Sequence, residues 1–132
     1  MAQNVAAMGL GPLDELTEYL KRQSLWYLAN VDRANIFFTE ARNLTGDRHA
    51  VTEQRAAGFA KHVRDLIAAA QAQGQIRCQV DPRMLTRYVL GSLNNIRFWP
   101  SRSGSKFSTE QMLDALIRMT LNALEAQEPA NS

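Results

Sequence analysis

The sequence predicts an all-α protein, an antiparallel bundle of about five main helices. Apolar residues recur at spacings of three and four along almost the whole chain, the period of a helix with one buried face. No window alternates apolar and polar residues with the period of two that a half-buried strand shows. Glycine, proline and capping residues divide this pattern into segments of ordinary helical length.

The first two helices are predicted between Gly11 and the break at Thr45-Gly46-Asp47. Gly11-Pro12 opens the first helix, because proline lacks only an N–H that the first turn leaves unpaired in any case. The apolar stripe of this helix consists of Leu13, Leu16, Leu20, Tyr27, Leu28 and Val31. Asn30 or Asp32 is expected to cap a shorter second helix. Its predicted buried side consists of Ile36, Phe37, Ala41 and Leu44.

The third and fourth helices are separated by a polar connector. We expect the third helix from about Arg48 to Gln73, with Gly74 as its C-terminal cap. Its apolar positions are Val51, Phe59, Val63, Leu66, Ile67 and Ala70. The connector ends at Asp81-Pro82, an N-cap followed by proline at the first helical position. The fourth helix is therefore expected from about Pro82 to Trp99, and Pro100 and an exposed loop at 101–106 follow it.

The last helix, capped by Ser108 or Thr109, has an apolar arc too wide for one layer of neighbours to cover. One side of the arc consists of Leu113, Ile117, Leu121 and Leu124. The arc is extended by Met112, Leu116, Met119 and Ala123. Large exposed apolar patches are rarely left in water, so we predict a homodimer interface at these four residues. The alternative is that this helix is the most central one of a monomeric bundle.

The composition is that of a soluble globular protein. The 132 residues are 45% hydrophobic and 21% charged, enough for a real core without disulfide or metal staples. Lys and Arg total 15 against 13 Asp and Glu, so charge alone does not argue for nucleic-acid binding. The single cysteine and the absence of a signal peptide or long apolar run indicate a cytoplasmic protein without membrane segments. We expect one domain at 11–126, between a remnant of a preceding helix or linker at 1–10 and a flexible tail at 127–132.

Catalytic and metal-binding motifs are not recognisable. His49 and His62 lie about 220° apart around one helix, so they cannot ligate one metal from a single face. His49 and Glu53 are four residues apart but lack a third ligand, and Cys78 has no histidine near it in sequence. There is no glycine-rich phosphate loop and no nucleophile elbow. We therefore predict no catalytic residue, no metal and no cofactor, and a protein that is not an enzyme.

Aromatic and polar residues are mixed on helices that would otherwise be plain core. A cavity between the helices is predicted to be lined by Trp26, Phe37, Phe38, Phe59 and Phe98. Bundles commonly bind small molecules in such places. Asn94 or Asn95, both poor helix formers, is expected to orient the ligand with a hydrogen bond. The equally weighted alternative is that one asparagine bonds a neighbouring helix while the other is in solvent.

Several short segments, in this order and spacing, carry a family resemblance. They are Gly11-Pro12-Leu13-Asp14-Glu15-Leu16, Phe38-Thr39-Glu40-Ala41-Arg42-Asn43-Leu44, Arg64-Asp65-Leu66-Ile67, Gln73-Gly74-Gln75-Ile76-Arg77, Val80-Asp81-Pro82-Arg83, Leu90-Gly91-Ser92-Leu93-Asn94 with Trp99, and Phe107-Ser108-Thr109-Glu110. From Gly11 to Leu124 the chain resembles the C-terminal regulatory domain of TetR-type bacterial transcriptional regulators. Members of this subgroup usually carry an aromatic residue after the tryptophan, where this chain has Pro100.

The resemblance implies a repressor whose earlier helices enclose a small-molecule effector and whose last two long helices pair with a second subunit. The implied effector is apolar or amphipathic. Fatty acids and acyl-coenzyme A serve in several relatives, and Arg42, with Arg33 and Arg97, would meet their carboxylate or phosphates. The alternative for these arginines is a solvated helix face with salt bridges to Glu40 or Asp32. The family also has a helix-turn-helix ahead of this domain, a pattern that residues 1–10 do not carry, so we expect no DNA binding by this chain alone.

Two other classes of function stay open at this point. One is a ligand-free helical dimerisation or protein-interaction module, in which any internal cavity is too small for a ligand. The other is a small enzyme that uses His62 or a carboxylate as a base in the aromatic pocket, which would require a strongly displaced pKa.

Overall fold

The computed structural model describes residues 9–43, 45–99 and 107–126, with the backbone only at 41–43. The helices in chain order are α1 (Pro12–Ala29), α2 (Val31–Asn43), α3 (Gly46–Ala72), α4 (Pro82–Asn95), a 3₁₀ turn (Ile96–Phe98) and α5 (Thr109–Ala123). Within these ranges there is no strand, only an isolated bridge between Ile76 and Ala126. The predicted all-α bundle of five main helices is confirmed.

Some predictions fall outside the described residues. They concern the terminal segments 1–8 and 127–132, the loop at 101–106, the helix stop at Pro100, and the side chains of Ala41, Arg42 and Leu44. Among the helices that are described, none has both the length and the hydropathy needed to cross a membrane.

Helix α1 lies at the centre of the bundle. It contacts all four other helices and the 3₁₀ turn. The sequence favours a helix start here because Pro12 follows Gly11 and two acidic residues, Asp14 and Glu15, occupy the positive end of the helix. Its buried side chains are Leu16, Tyr19, Leu20, Ser24 and Tyr27. The apolar pattern predicted the three that lie on its stripe but missed Tyr19 and Ser24, which only a helix covered on several sides would bury.

Asn30 separates α1 from α2. Its side-chain amide donates to the carbonyl of Trp26 (3.0 Å), and its own carbonyl accepts from the N–H of Ala34 (2.9 Å). The same residue thus ends one helix and starts the next, whereas the predicted α1 stripe extended one residue further, to Val31.

Helix α2 buries a different face from the predicted one. Ile36 and Phe37 are 57% and 58% exposed, so their predicted place in the core is wrong. Ala34 is fully buried instead, and Phe38, one turn later on the same face, packs against the core. Ile36 and Phe37 follow Ala34 by two and three residues, so the helical step of about 100° per residue turns them away from the face that Ala34 buries.

Only the C-terminal half of α3 packs against the bundle. No residue of 46–58 is buried, and the predicted core position of Val51 is wrong, since its side chain is 46% exposed. The buried residues are Val63, Leu66, Ile67 and Ala70. Gly74 adopts a φ of 75°, the left-handed conformation that favours glycine after a helix. The predicted glycine cap is confirmed.

The connector between α3 and α4 is tied to the end of α5. The backbone N–H groups of Arg77 and Cys78 donate to the carbonyls of Glu125 and Leu124, both at 3.2 Å. Ile76 is fully buried within this otherwise polar segment. Sequence patterning missed Ile76 because one apolar residue in a polar stretch has no periodicity to reveal its environment.

The start of α4 and the start of α5 follow the predicted caps. The Asp81 carboxylate accepts from the N–H of Arg83 (2.8 Å), directly before Pro82. Ser108, rather than Thr109, caps α5, and its side chain and that of Gln111 form a reciprocal capping box. The predicted fourth helix is too long by a turn, because the chain tightens into the 3₁₀ turn after Asn95, a common way for a helix to end.

Candidate functional site

Four aromatic rings form a row where α1 meets α2. Trp26 and Tyr27 have ring centroids 5.7 Å apart, Tyr27 and Phe38 5.9 Å, and Phe38 and Phe37 5.5 Å. Tyr27 is buried and Phe38 half-buried, but Trp26 and Phe37 are 42% and 58% exposed. The structure therefore places the predicted ligand-binding residues Trp26, Phe37 and Phe38 in one row with Tyr27. Only Tyr27 and Phe38 belong to the core.

Arg97 joins this aromatic row to the 3₁₀ turn. Its guanidinium carbon lies 4.0 Å from the ring centroid of Phe38 and 4.3 Å from that of Phe98. Its Nε donates to Asn35 Oδ1 (2.9 Å) and its Nη1 to the carbonyl of Asn94 (2.6 Å). A planar guanidinium can stack and donate at the same time. The family resemblance implied that Arg97 would meet an anionic effector. In the structure its head group is held by these contacts within the protein.

The two adjacent asparagines of α4 have different surroundings. The Tyr27 hydroxyl donates to Asn94 Oδ1 (3.2 Å), and Asn94 is half-buried. Asn95 is exposed and lines a groove between α4 and α5. Burial raises the pKa of the Tyr27 phenol, against the opposing effects of a hydrogen bond with Gln23 and the charge of Arg97. Asn94 thus bonds a neighbouring helix, the arrangement that the alternative prediction described.

Phe59 marks a second aromatic contact along α1. Its ring packs edge-on against Tyr19, with centroids 5.6 Å apart. At about 1.5 Å and 100° per residue, Tyr19 and Tyr27 are separated by about 12 Å along α1 and about 80° around it. Of the predicted ligand-binding residues, Phe38, Phe59 and Asn94 pack towards α1, whereas Trp26, Phe37, Phe98 and Asn95 are exposed.

A groove of about 140 Å³ lies between α4 and α5. It is lined by Tyr88, Ser92, Asn95, Trp99, Leu116, Met119 and Thr120. Tyr88 and Met119 are 58% and 54% exposed, so apolar surface from both helices is presented on the same side of the molecule.

The four predicted dimer-interface residues divide into two pairs. Met112 and Leu116 are already buried within the single chain, because α5 packs against both α1 and α4. Met119 and Ala123 are exposed. The helical period alone could not separate these pairs, since it shows how wide the apolar arc is and not how much of it the same chain covers.

A second, larger pocket of about 430 Å³ lies beside the start of α5. It is lined by Trp99, Phe107, Gln111, Met112 and Ala115. This pocket was not predicted, because its residues come from separate segments of the chain that no periodic pattern in the sequence connects.

The described residues contain no group of three or more His, Cys, Asp or Glu side chains that could hold a metal ion. His49 Nε2 lies 2.9 Å from Glu53 Oε1 on the exposed part of α3, as the four-residue spacing allows. Hydrogen bonds from the side chain and backbone of Arg83 lower the pKa of the Asp81 carboxyl group to about 2. This is a helix cap at the surface rather than a group placed for chemistry.

Comparison with known proteins gives one family and one solved structure. The sequence pattern of the family described as "Tetracyclin repressor-like, C-terminal domain" matches residues 9–124. The fold is similar to that of a transcriptional regulator of the TetR/AcrR family from Thermobifida fusca YX-ER1, with a TM-score of 0.78 and 23% sequence identity. The similarity covers 92% of this chain and 63% of that protein, so the chain spans less than two thirds of its length. No curated protein sequence gives a significant match.

Proposed function

The chain belongs to the family of tetracyclin repressor-like C-terminal domains, and from this premise we propose that it is the effector-binding and dimerisation part of a cytoplasmic transcriptional repressor. The observation that carries the proposal is the family match over residues 9–124, which includes almost every described residue. The aromatic row, the Tyr27–Asn94 hydrogen bond and the exposed apolar side of α4 and α5 support it.

The proposed effector is an apolar or amphipathic molecule that lies along α1. Phe38 packs against Tyr27 near one end of this path, and Phe59 packs against Tyr19 near the other. The separation of about 12 Å between the two tyrosines suits an elongated molecule. Trp26, Phe37 and Phe98 lie at the exposed margin of the same region and are proposed to contact the effector where it enters.

The proposed homodimer forms through the exposed sides of α4 and α5. Met84 and Tyr88 lie one turn apart on α4, and both are more than half exposed, at 65% and 58%. Met119 and Ala123 lie four residues apart on α5 and are also exposed. Burying such side chains against a second copy removes apolar surface from water, which is the usual driving force of subunit association.

The proposed mechanism couples the effector site to DNA through the position of α2. Arg97 holds α2 to the 3₁₀ turn that continues α4, so an effector that separates α1 from α2 also displaces the end of α4. In a dimer such a displacement changes the distance between two DNA-binding units carried by the subunits. The effector releases the DNA to the extent that it binds the displaced arrangement more tightly than the DNA-bound one.

Native mass spectrometry of the purified chain tests this proposal. We expect a dimer that carries the extra mass of a co-purified small molecule. The variant Met119→Glu is the control: it should appear as a monomer and still carry the small molecule, because its side chain lies away from α1. A wild-type chain that is monomeric and carries no ligand would contradict the proposal.

A second candidate function is a protein-interaction module without a ligand. The observation that favours it is the exposure of Leu25 (50%) and Trp26 (42%) on α1 and of Ile36 and Phe37 on α2. Under this alternative the purified chain carries no small molecule, and Phe37→Ala weakens the capture of a protein partner while the free energy of unfolding stays nearly the same, because the side chain is exposed.

A further inference from the structure

Two buried polar groups meet between α1 and α3 without a hydrogen-bond partner. They are the hydroxyl of Tyr19 and Nε2 of His62, which together with Ser24 Oγ are the buried side-chain polar atoms that have no hydrogen-bond partner among the described residues. The Tyr19 side chain is almost completely buried, with 2% of its surface exposed. The two rings are in contact, with centroids 5.2 Å apart and planes tilted by 57°. The rings are tilted against each other, and the Tyr19 hydroxyl and His62 Nε2 do not form a hydrogen bond with each other.

The other buried tyrosine of α1 shows what the ordinary arrangement is. Tyr27, eight residues further along the same helix, donates its hydroxyl hydrogen to Asn94. Buried hydroxyl and imidazole groups are almost always paired in folded proteins, because leaving them unpaired costs their full desolvation penalty. Two such groups in direct contact, in a chain whose other buried tyrosine is satisfied, therefore point to one partner that both of them share.

We propose that Tyr19 and His62 bind the polar end of the effector, an uncharged group with a hydroxyl or carbonyl oxygen, while Phe59 contacts its apolar body. This inference rests on the proposed function and adds the chemistry of the group that is recognised. A phenol hydroxyl both donates and accepts, and the Nε2 of a neutral imidazole does one or the other according to its tautomer. A ligand hydroxyl can accept from Tyr19 and donate to His62, and a ligand carbonyl oxygen can accept from both.

The charges around the pair favour an uncharged ligand group over a carboxylate. Glu15, one turn before Tyr19, adds to the effect of burial in raising the pKa of that phenol. Asp65, three residues after His62, interacts with the imidazole and is itself paired with Lys61 at 3.0 Å and Arg64 at 3.7 Å. Lys61 and Arg64, the cations that flank His62 in sequence, are thus paired with Asp65, and a ligand carboxylate at Tyr19 would meet the negative charge of Glu15.

The position of the pair gives a ligand a short route from the surface. His62 and Phe59 are half-buried, and no residue of the preceding stretch of α3, 46–58, is buried. Phe59 and His62 therefore form the side of the site nearest to solvent, on the first part of α3 that packs on α1. Aromatic rings prefer edge-to-face contacts, such as the one between Phe59 and Tyr19, so an aromatic probe matches the walls of this site.

The test uses three probes of nearly the same shape: phenol, toluene and benzoate. Phenol has the proposed hydroxyl, toluene lacks it and benzoate carries a charge. The chain contains only two histidines, so the imidazole ¹⁵N signals of the whole chain can be followed during each titration. We expect phenol to shift the His62 signals saturably and to leave those of His49 unchanged, because His49 is exposed and paired with Glu53. Toluene and benzoate should bind at least about five-fold more weakly, the factor expected for one ordinary hydrogen bond.

Two matched tyrosine variants complete the test. Tyr19→Phe should weaken phenol binding about five-fold while the urea midpoint stays the same or rises, because it removes an unpaired buried hydroxyl. Tyr27→Phe is the stability control and should lower the urea midpoint, because it breaks the bond to Asn94.

Three results would overturn the inference. They are no saturable shift of His62 with phenol, an equal response to toluene, or a loss of stability in Tyr19→Phe as large as in Tyr27→Phe, which would mean that the hydroxyl is already satisfied within the protein. None of these results would contradict the proposed function, because that proposal is tested by whether the purified chain is a dimer with a bound small molecule.

Discussion

Asn94 and Asn95 are adjacent in sequence and have the same chemistry, but they differ in burial and in hydrogen bonding. Asn94 accepts a hydrogen bond from the buried Tyr27 hydroxyl, and Asn95 faces the groove between α4 and α5. A step of one residue turns a helical side chain by about 100°, which is enough to move it from the interior to the surface.

The two alanine variants of these residues should therefore differ in stability. We expect Asn94→Ala to lower the free energy of unfolding by about 1 kcal/mol, because it removes the hydrogen bond that Asn94 accepts from the buried Tyr27 hydroxyl. Asn95→Ala, the matched control, should change it by less than about 0.5 kcal/mol. Urea unfolding at neutral pH measures both values, and equal values would mean that the Tyr27–Asn94 bond contributes nothing to stability.

At the scale of the elements, α2 depends on Arg97 for its attachment to the 3₁₀ turn. The guanidinium stacks on Phe38 of α2 and bonds Asn35 of the same helix. Lysine keeps the charge but has neither the planar surface nor the directed Nε–H.

Arg97→Lys should lower the free energy of unfolding by about 1–2 kcal/mol, the combined effect of one stacking contact and one hydrogen bond. Hydrogen exchange should show faster exchange of the α2 amides in this variant, while α3 is unaffected. Arg33→Lys, at an exposed position on α2, is the control and should leave both measurements as in the wild type. Uniformly faster exchange over the whole chain would contradict a local role for Arg97.

The start of α4 has a pH dependence that can be measured directly. The pKa of Asp81 is about 2, below its ordinary value of 3.8, mainly because the Arg83 side chain and N–H donate to the carboxylate. The cap therefore contributes its full stability above about pH 3.8 and loses it as the pH falls towards 2. We expect Arg83→Gln to move the carboxyl ¹³C titration of Asp81 part of the way back to 3.8, since the backbone N–H still donates. An unchanged titration would show that the Arg83 side chain does not act on Asp81.

At the scale of the whole molecule, α1 is the scaffold and α4 and α5 present the free apolar surface. The core around α1 covers Met112 and Leu116, and Tyr88 and Met119 are left exposed on one side. If this side is the dimer interface, a charge placed on it must be removed from water when the subunits associate.

Tyr88→Glu should raise the dissociation constant of the proposed dimer at least about ten-fold, because aromatic residues at the centre of interfaces carry much of the binding energy. Sedimentation velocity over a range of concentrations measures this change. Val80→Glu is the matched control, since Val80 is similarly apolar and 44% exposed but lies in the connector before α4. If Val80→Glu weakened the dimer as much as Tyr88→Glu, the interface would lie elsewhere.

The caps of the helices and the family were predictable from the sequence because their signals are local. Pro12, Gly74, Asp81-Pro82 and Ser108 act on backbone groups within a turn of themselves, and the structure confirms each of them. The segments that carry the family resemblance lie on these same elements, and the family match covers them.

The faces of the helices, by contrast, depend on which neighbours cover them. Ile36, Phe37 and Val51 are as apolar as Leu16 or Ile67 and lie on equally periodic patterns, but the elements that the structure describes leave about half of each residue's surface exposed. Ile76 and Tyr19 are buried for the opposite reason, because distant segments close over them. Periodicity determines which residues share a face, and only the tertiary packing of α1 against the other four helices decides which faces lose contact with water. The sequence by itself therefore determined the all-α class, the caps and the family, whereas the inward position of Asn94, the stacking of Arg97 and the unpaired Tyr19–His62 contact were decided by the tertiary structure.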